Sequence, residues 1–123
     1  KPSFKIYGTK YKTKDGTCIR DYIHVSDISD IHYKVLLKID KIKSSTILNC
    51  GYGKGISVND VIKEFKKYAN KNLKIVKFPK RKGDMVKVIS DNSKLKKFIK
   101  WRPKFNSLKK IVKSCIIWEM KIK

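Results

Sequence analysis

The residues best suited to bind a charged ligand in this sequence are its few arginines. Arg20, Arg81 and Arg102 are the only arginines among 32 basic residues, and every other basic residue is a lysine. A planar guanidinium can hold a phosphate or a carboxylate through two parallel hydrogen bonds, whereas a lysine ammonium acts as a point charge. A site that recognises phosphate groups would therefore be sought first around these arginines.

The lysines give the 123-residue chain a formal net charge of +22. A charge of this size is typical of proteins with a polyanionic partner such as nucleic acid. However, the lysines are spread over every segment, and proteins that read bases and phosphates rely on arginine. We therefore interpret the lysine excess as a compositional bias and expect only non-specific, salt-sensitive binding to nucleic acid.

Motifs of known catalytic or metal chemistry are missing from the sequence. It contains no H-E-x-x-H, G-x-S-x-G or P-loop pattern. Cys18, Cys50 and Cys115 are odd in number and widely spaced, which argues against disulfides and zinc and favours reduced cysteines in the cytoplasm. No run resembles a signal peptide or reaches the roughly 20 apolar residues of a membrane span, so we expect a soluble protein without membrane contact.

The pattern of apolar residues predicts a mixed α/β chain of short strands and amphipathic helices. Strands are predicted at 4–7, 17–25, 45–49, 73–78 and 86–89. The 45–49 strand is apolar on both faces, which suits a sheet covered on both sides. Since the chain offers few neighbouring strands to cover it, we expect the chain to be marginally stable alone.

Four helices are predicted from helical spacing and capping residues. The first is capped by Ser26 or Asp27 and carries an apolar face from Ile28 to Ile39. The second is capped by Ser57, the third is capped by Asp91, and the fourth begins near Ser107. The buried face of the fourth helix is predicted to contain Leu108, Ile111, Val112 and Cys115.

The glycine-rich segment 51–55 (GYGKG) lies between a predicted strand and a predicted helix, where a dinucleotide-binding loop would lie. Such loops follow the pattern G-x-G-x-x-G, and this segment reads G-x-G-x-G. We therefore interpret it as a flexible turn between a strand and a helix.

Three segments resemble signatures of one enzyme family. They are residues 15–27 (DGTCIRDYIHVSD), 49–58 (NCGYGKGISV) and 79–84 (PKRKGD), the last followed by SDNSK at 90–94. In this order and spacing they resemble the UDP-glucose 4-epimerases, members of the extended short-chain dehydrogenase/reductase superfamily. The resemblance covers essentially the whole chain and implies the C-terminal, substrate-binding part of that Rossmann-type fold.

The resemblance implies how a UDP-sugar would be bound. In the family, the Arg of the Arg-Asp-Tyr motif and the Arg and Asp of the Arg-x-Gly-Asp loop hold the diphosphate and ribose. These positions are Arg20, Arg81 and Asp84 in this sequence, and Arg102 has no such counterpart. A guanidinium suits the diphosphate, and the Asp84 carboxylate would accept hydrogen bonds from ribose hydroxyls.

The resemblance also implies residues for the base and the sugar. Lys5, Ile6 and Tyr7 match the segment that lies along uracil, with backbone groups pairing with the base and the Tyr7 ring stacking on it. Val88 stands where some members carry a large Tyr that crowds the sugar pocket. A smaller side chain leaves room for an N-acetyl group, so we expect UDP-N-acetylhexosamines to be tolerated.

The parts of the family that carry out the chemistry do not occur in the sequence. It contains neither a Gly-rich NAD loop nor a Tyr-x-x-x-Lys motif. The resemblance therefore implies that residues 1–123 are the UDP-sugar-binding region, while an N-terminal half binds NAD and catalyses the interconversion of UDP-glucose and UDP-galactose. The implied partners are a UDP-sugar, that half and a second copy in a homodimer, and the chain alone is expected to be inactive.

Two other interpretations remain open. One is a neighbouring branch of the superfamily, such as a UDP-glucuronate 4-epimerase or a nucleotide-sugar dehydratase, although the DGTCIRDYIHV form favours the UDP-glucose 4-epimerases. The other is a non-enzymatic basic module that binds nucleotide sugars or nucleic acid through its charge.

Overall fold

Two small sheets and four α-helices form the part of the chain that the computed structural model describes, residues 3–69 and 73–122. In chain order the strands are β1 (Ser3–Tyr7), β2 (Ile19–Arg20), β3 (Ile56–Ser57), β4 (Lys74–Phe78) and β5 (Lys87–Val88). The helices are α1 (Val25–Leu36), α2 (Val58–Tyr68), α3 (Ser93–Ile99) and α4 (Leu108–Lys121), with a short 3₁₀ helix at Ile39–Lys41. The predicted α/β class is confirmed.

The sheets connect segments that are far apart in the sequence. β1 and β4 pair in parallel, from Ser3 opposite Lys74 to Tyr7 opposite Phe78. In the other sheet, β2 lies between the antiparallel β3 and the parallel β5, and Arg20 pairs with Val88. The segment between β4 and β5 therefore leaves one sheet beside Tyr7 and enters the other beside Arg20.

Capping explains where two of the helices begin. The Ser57 hydroxyl accepts a hydrogen bond from the Asp60 amide at 3.0 Å, and the Ser107 hydroxyl accepts one from the Lys110 amide at 3.3 Å. Each bond satisfies a backbone N–H that the first turn of a helix leaves without a partner. The predicted cap at Ser57 and the predicted start of the fourth helix near Ser107 are confirmed.

The start of α1 differs from the prediction. The helix begins at Val25, and its cap is the His24 ring, whose Nδ1 accepts from the Ser26 amide at 3.0 Å. Asp27 does not cap the helix because its carboxylate is buried and binds residues elsewhere in the chain. At α3 the Asp91 carboxylate does accept from the Ser93 amide at 3.0 Å, although the helix is assigned from Ser93 with Asn92 before it.

The main apolar core lies between α1 and α3. Ile31 of α1 packs with Leu95 and Ile99 of α3 and with Trp101, which follows that helix. α4 packs separately on α2 and buries Val112 completely. Cys115, predicted to share this buried face, is exposed, whereas the next residue, Ile116, is half-buried.

The predicted strand at 45–49 does not form. No described strand pairs with this segment, and Ile47 is 82% exposed. Extended backbone is assigned to a strand only when a neighbour completes its hydrogen bonds. The segments predicted at 17–25 and 86–89 are likewise reduced to the short β2 and β5, which pair with each other over only two residues.

None of the described helices combines the length and the apolar composition needed to cross a membrane.

Candidate functional site

Arg20, Arg81 and Asp84 form one cluster, although they come from distant parts of the sequence. Arg81 binds Asp84 through two atoms, with Nε 3.0 Å from Oδ2 and Nη2 3.4 Å from Oδ1. Nη2 of Arg20 approaches Oδ1 of the same carboxylate at 3.6 Å. The structure thus brings together the three residues that the sequence predicted for a diphosphate and ribose site.

Arg20 is held in place by the sheet that carries it. Its Nη1 donates to the carbonyl of Ile19 at 2.8 Å and to the carbonyl of Met85 at 2.9 Å. The Ile19 amide also donates to the carbonyl of Val86 at 2.9 Å, which fixes the start of β5 beside β2. One edge of the guanidinium is therefore anchored to the backbone, while the Nη2 edge faces Asp84.

Aromatic rings support the other side of the cluster. The Arg81 guanidinium lies over the Tyr7 ring, 4.9 Å from its centroid, and Tyr7 stacks on Phe78 at 5.3 Å. The Tyr11 hydroxyl donates to Oδ2 of Asp84 at 3.4 Å. A guanidinium is attracted to the face of an aromatic ring, so these contacts hold Arg81 close to β1.

The charges of the cluster are reflected in its pKa values. The hydrogen bond from Arg81 lowers the pKa of Asp84, and the positive charges of Arg81 and Arg20 act in the same direction, against the opposing effect of burial. Burial, together with the charge of Asp84, raises the pKa of Tyr11. Asp84 is therefore a carboxylate at neutral pH, and Tyr11 is a neutral hydrogen-bond donor to it.

The backbone of β1 has one edge bound to β4 and one edge without a strand partner among the described residues. The Gly8 amide donates to the carbonyl of Phe78 at 2.9 Å. Because backbone groups point alternately to the two sides of a strand, Ile6 also faces β4, whereas Lys5 and Tyr7 face the other edge. Of the three residues predicted to lie along uracil, Lys5 and Tyr7 present backbone groups there, and the Ile6 side chain is buried.

Two further features lie next to the cluster. A cavity of about 430 Å³ opens between the turn after β1 and the end of β4, with Tyr11, Phe78 and Pro79 among its walls. Val88 lies on β5 in register with Arg20, and its side chain is partly exposed. Val88 therefore lies on the strand that neighbours Arg20.

Asp21 organises the region behind Arg20, and sequence reasoning gave it no role. Its carboxylate accepts hydrogen bonds from the amides of Tyr52 at 3.0 Å, Gly53 at 2.9 Å and Ser90 at 3.3 Å. A side chain at Gly51 would collide with this carboxylate and with Ser90. The sequence feature that could have indicated this role is the position of Asp21 directly after Arg20 in the Arg-Asp-Tyr motif.

These contacts also decide the interpretation of the glycine-rich segment. The amides of Tyr52 and Gly53 point at Asp21, so they do not form a cradle for the diphosphate of a dinucleotide. A side chain at Gly55 would collide with Ile19 and Ile89. The segment is a tightly packed turn, and its residues do not fit an NAD-binding loop.

Among the residues described, no three histidine, cysteine or acidic side chains lie close enough together to hold a metal ion.

Comparison with known proteins connects this site to a family. Residues 3–51 match the sequence model of the NAD dependent epimerase/dehydratase family. The chain is 38% identical over 119 residues to a UDP-glucose 4-epimerase of Azospirillum brasilense, covering 97% of this chain and 34% of that protein. It is 42% identical over 118 residues to UDP-arabinose 4-epimerase 1 of Arabidopsis thaliana, covering 96% of this chain and 28% of that protein.

A solved structure of an epimerase is also similar to this chain. The UDP-Glc/GlcNAc 4-epimerase of Campylobacter jejuni superposes with a TM-score of 0.83 and 43% sequence identity, over 98% of this chain and 36% of that chain. The chain belongs to the NAD dependent epimerase/dehydratase family. This epimerase-family chain spans about a third of the length of the curated relatives that it matches. Both the family predicted from the motifs and the match to only one part of it, the C-terminal part, are confirmed.

Proposed function

We propose that this chain forms the UDP-sugar-binding part of a nucleotide-sugar 4-epimerase that interconverts UDP-glucose and UDP-galactose. The observation that carries the proposal is the convergence of Arg20, Arg81 and Asp84 at the junction of the two sheets. The relatives named above act on UDP-glucose, UDP-arabinose or UDP-GlcNAc according to their names, and share the UDP group. A site for UDP is therefore the common element, and the identity of the sugar is the finer part of the proposal.

In the proposed complex the two arginines bind the diphosphate and Asp84 accepts hydrogen bonds from the ribose. Arg20 offers Nη2 from a fixed position, because its Nη1 is bound to backbone carbonyls. Arg81 comes from an exposed loop and can turn its two donors from Asp84 to a phosphate. Guanidinium groups on two sides of a diphosphate match its spread of negative charge.

Uracil would lie along the open edge of β1. Lys5 and Tyr7 present an amide and a carbonyl each on that edge, and a uracil ring carries both an N–H donor and carbonyl acceptors. The Tyr7 ring already contacts Phe78 and the Arg81 guanidinium. Stacking of Tyr7 on uracil would therefore replace or rearrange one of these two contacts when the ligand binds.

The chemical step in such an enzyme would depend on a part that binds NAD, and NAD would supply hydride transfer at the sugar. This chain would hold the UDP group while the sugar changes orientation. The remaining two thirds of the relatives' length is accordingly the partner we propose for this chain.

An apolar surface on the chain fits that partner. Leu36, Leu37, Ile39 and Ile47 are each at least half exposed, on the end of α1 and the segments that follow it. The 45–49 segment, which contains Ile47, has no strand neighbour among the described residues. Exposed apolar residues near a segment without a strand partner are typical of a surface that another part of a fold covers.

The proposal can be tested with a chimera that joins the unmatched part of a related epimerase to this chain. We expect the chimera to interconvert UDP-glucose and UDP-galactose. Substituting Arg20→Lys should weaken UDP binding by about tenfold, because a lysine cannot reach two backbone carbonyls and the diphosphate at once. Calorimetric titration with UDP and an epimerase assay measure the two effects.

The matched control is Arg102→Lys, since Arg102 is exposed and lies outside the cluster. It should leave UDP affinity unchanged. A folded chimera that fails to bind UDP would contradict the proposed function, and equal effects of the two substitutions would contradict the assignment of the site. A chimera that binds UDP but epimerises only another UDP-sugar would correct the substrate alone.

A further inference from the structure

The carboxylate of Asp84 contacts the same two arginines that are proposed to bind a ligand's diphosphate. It receives two hydrogen bonds from Arg81, one from the Tyr11 hydroxyl, and the charge of Arg20 at 3.6 Å. The donors of the cluster are thus directed at an internal anion. An incoming anion has to compete with Asp84 for the same donors.

We propose that Asp84 makes this site selective for nucleoside diphosphates over simple anions. The inference rests on the proposed UDP site and adds a role for Asp84 beyond binding ribose. A free phosphate or pyrophosphate that takes the arginines leaves the carboxylate without its partners and next to another negative charge. A nucleoside diphosphate brings hydroxyl donors along with its diphosphate, so the carboxylate exchanges one set of donors for another.

The surroundings of the cluster support this exchange. Only 15% of the Asp84 side chain is exposed, so water compensates only in part for a lost donor. Arg20 cannot withdraw, because its Nη1 is bound to Ile19 and Met85. Arg81 is exposed, and Gly83 beside it has a φ of +83° with no atoms near its missing side chain, so the loop has room to change conformation. Selectivity obtained by penalising the wrong ligand is a general device in binding sites.

The test compares inorganic pyrophosphate with UDP on the 123-residue chain in magnesium-free buffer, by calorimetric titration. In Asp84→Asn and in Asp84→Ala, we expect pyrophosphate to bind about three- to tenfold more tightly than in the wild type, because a charge opposing the anion is removed. UDP should gain less or lose affinity, since Asp84→Ala removes the acceptor for its ribose and Asp84→Asn leaves a single uncharged acceptor oxygen. The preference of the site for UDP over pyrophosphate should therefore be smaller in the variants than in the wild type.

The control is Asp40→Asn, which removes the same charge from an exposed position on the 3₁₀ helix. It should change neither affinity. Pyrophosphate affinity that stays the same or falls in both Asp84 variants would overturn the inference. If the wild type does not bind UDP while the variants gain affinity for pyrophosphate, the UDP site is wrong and the competition by Asp84 stands.

A second comparison needs no variant. The wild type should bind 2′,3′-dideoxy-UDP more weakly than UDP, because the dideoxy ligand displaces Asp84 from the arginines without offering hydroxyl donors in exchange. In Asp84→Ala, which has no acceptor at this position, the difference between the two nucleotides should disappear. Equal binding of the two nucleotides by the wild type would contradict the inference, even if UDP itself binds well.

Discussion

Arg20 makes contacts that a lysine could not make, although nearly all other basic residues of the chain are lysines. Nη1 donates to the carbonyls of Ile19 and Met85 while Nη2 faces Asp84, so one side chain contacts three acceptors in fixed directions. A lysine ammonium would satisfy the same charge without this geometry. The arginine thus joins β2, the loop before β5 and the proposed diphosphate position.

The size of the Val88 side chain is expected to determine whether an N-acetylated sugar is accepted. Substituting Val88→Tyr in the chimera should reduce the activity on UDP-N-acetylglucosamine by about tenfold or more while the activity on UDP-glucose changes little. A ring at this partly exposed position on β5 would fill space that an N-acetyl group needs, and a hydrophobic pocket discriminates by size. The measurement is kcat/KM for both substrates.

The control for this prediction is Val88→Ile, which adds volume without a ring and should leave the substrate ratio nearly unchanged. If the wild-type chimera turns over UDP-glucose but not the N-acetylated substrate, the role of Val88 is wrong. Equal losses on both substrates in Val88→Tyr would indicate general damage to β5 instead of selectivity.

At the scale of elements, Asp27 joins three parts of the chain. Its buried carboxylate accepts from the Tyr52 hydroxyl in the glycine-rich turn and from the amides of Lys104 and Phe105 before α4, at 3.0 and 2.9 Å. Burial acts to raise the pKa of Asp27, but the hydrogen bonds from Tyr52, Lys104 and Phe105 outweigh it and lower the pKa. The ionised form is therefore the form that stabilises the fold.

Substituting Asp27→Asn should lower the free energy of unfolding by about 2–4 kcal/mol at neutral pH, because one acceptor oxygen is replaced by a donor facing an N–H. Since the folded-state pKa lies below the unfolded one, the contribution of Asp27 is present above about pH 4 and is lost as the pH falls through the folded-state value. Urea unfolding of the two proteins should therefore differ most at neutral pH and converge on acidification.

Asp40→Asn provides the comparison, because Asp40 is exposed and its substitution should change stability by less than about 0.5 kcal/mol. An Asp27→Asn variant as stable as the wild type at neutral pH would show that the network contributes little. A difference in unfolding free energy that grows towards low pH would contradict the lowered pKa of Asp27.

At the scale of the whole molecule, the apolar surface around Leu36 and Leu37 should bind the missing part of the epimerase fold. The double substitution Leu36→Ser and Leu37→Ser should weaken association with a separately expressed N-terminal part of a relative by at least about tenfold. The same substitutions should leave the stability of the isolated chain nearly unchanged, since both side chains are more than 60% exposed. Calorimetric titration and urea unfolding measure the two quantities.

The matched control is Met120→Ser, which removes an exposed apolar side chain from the end of α4. Its effect on association should be small. Equal losses in the control and the double variant would place the contact elsewhere, and destabilisation of the isolated chain by the leucine substitutions would show that they pack within it.

The sequence by itself determined the local elements and the family. Ser57 was predicted as a helix cap, and the fourth helix was predicted to begin near Ser107. Both predictions hold, because a cap depends on residues only three positions apart. The motifs around Arg20 and Arg81 identified the family because a motif is defined by the order of residue types, which the sequence contains directly. The two arginines and Asp84 were named together on that basis.

Only the tertiary structure decided the contacts that cross the chain. It showed that the Asp84 carboxylate forms ion pairs with both Arg20 and Arg81. It also showed that Asp21 binds the amides of the glycine-rich turn, and that Asp27 binds backbone amides before α4 instead of capping α1. It also showed that residues 45–49 remain unpaired. The physical reason is that Arg20 and the amides that bind Asp21 and Asp27 lie far from these carboxylates in sequence, where no local pattern records the contact. A strand partner for 45–49 would likewise have to come from a distant segment.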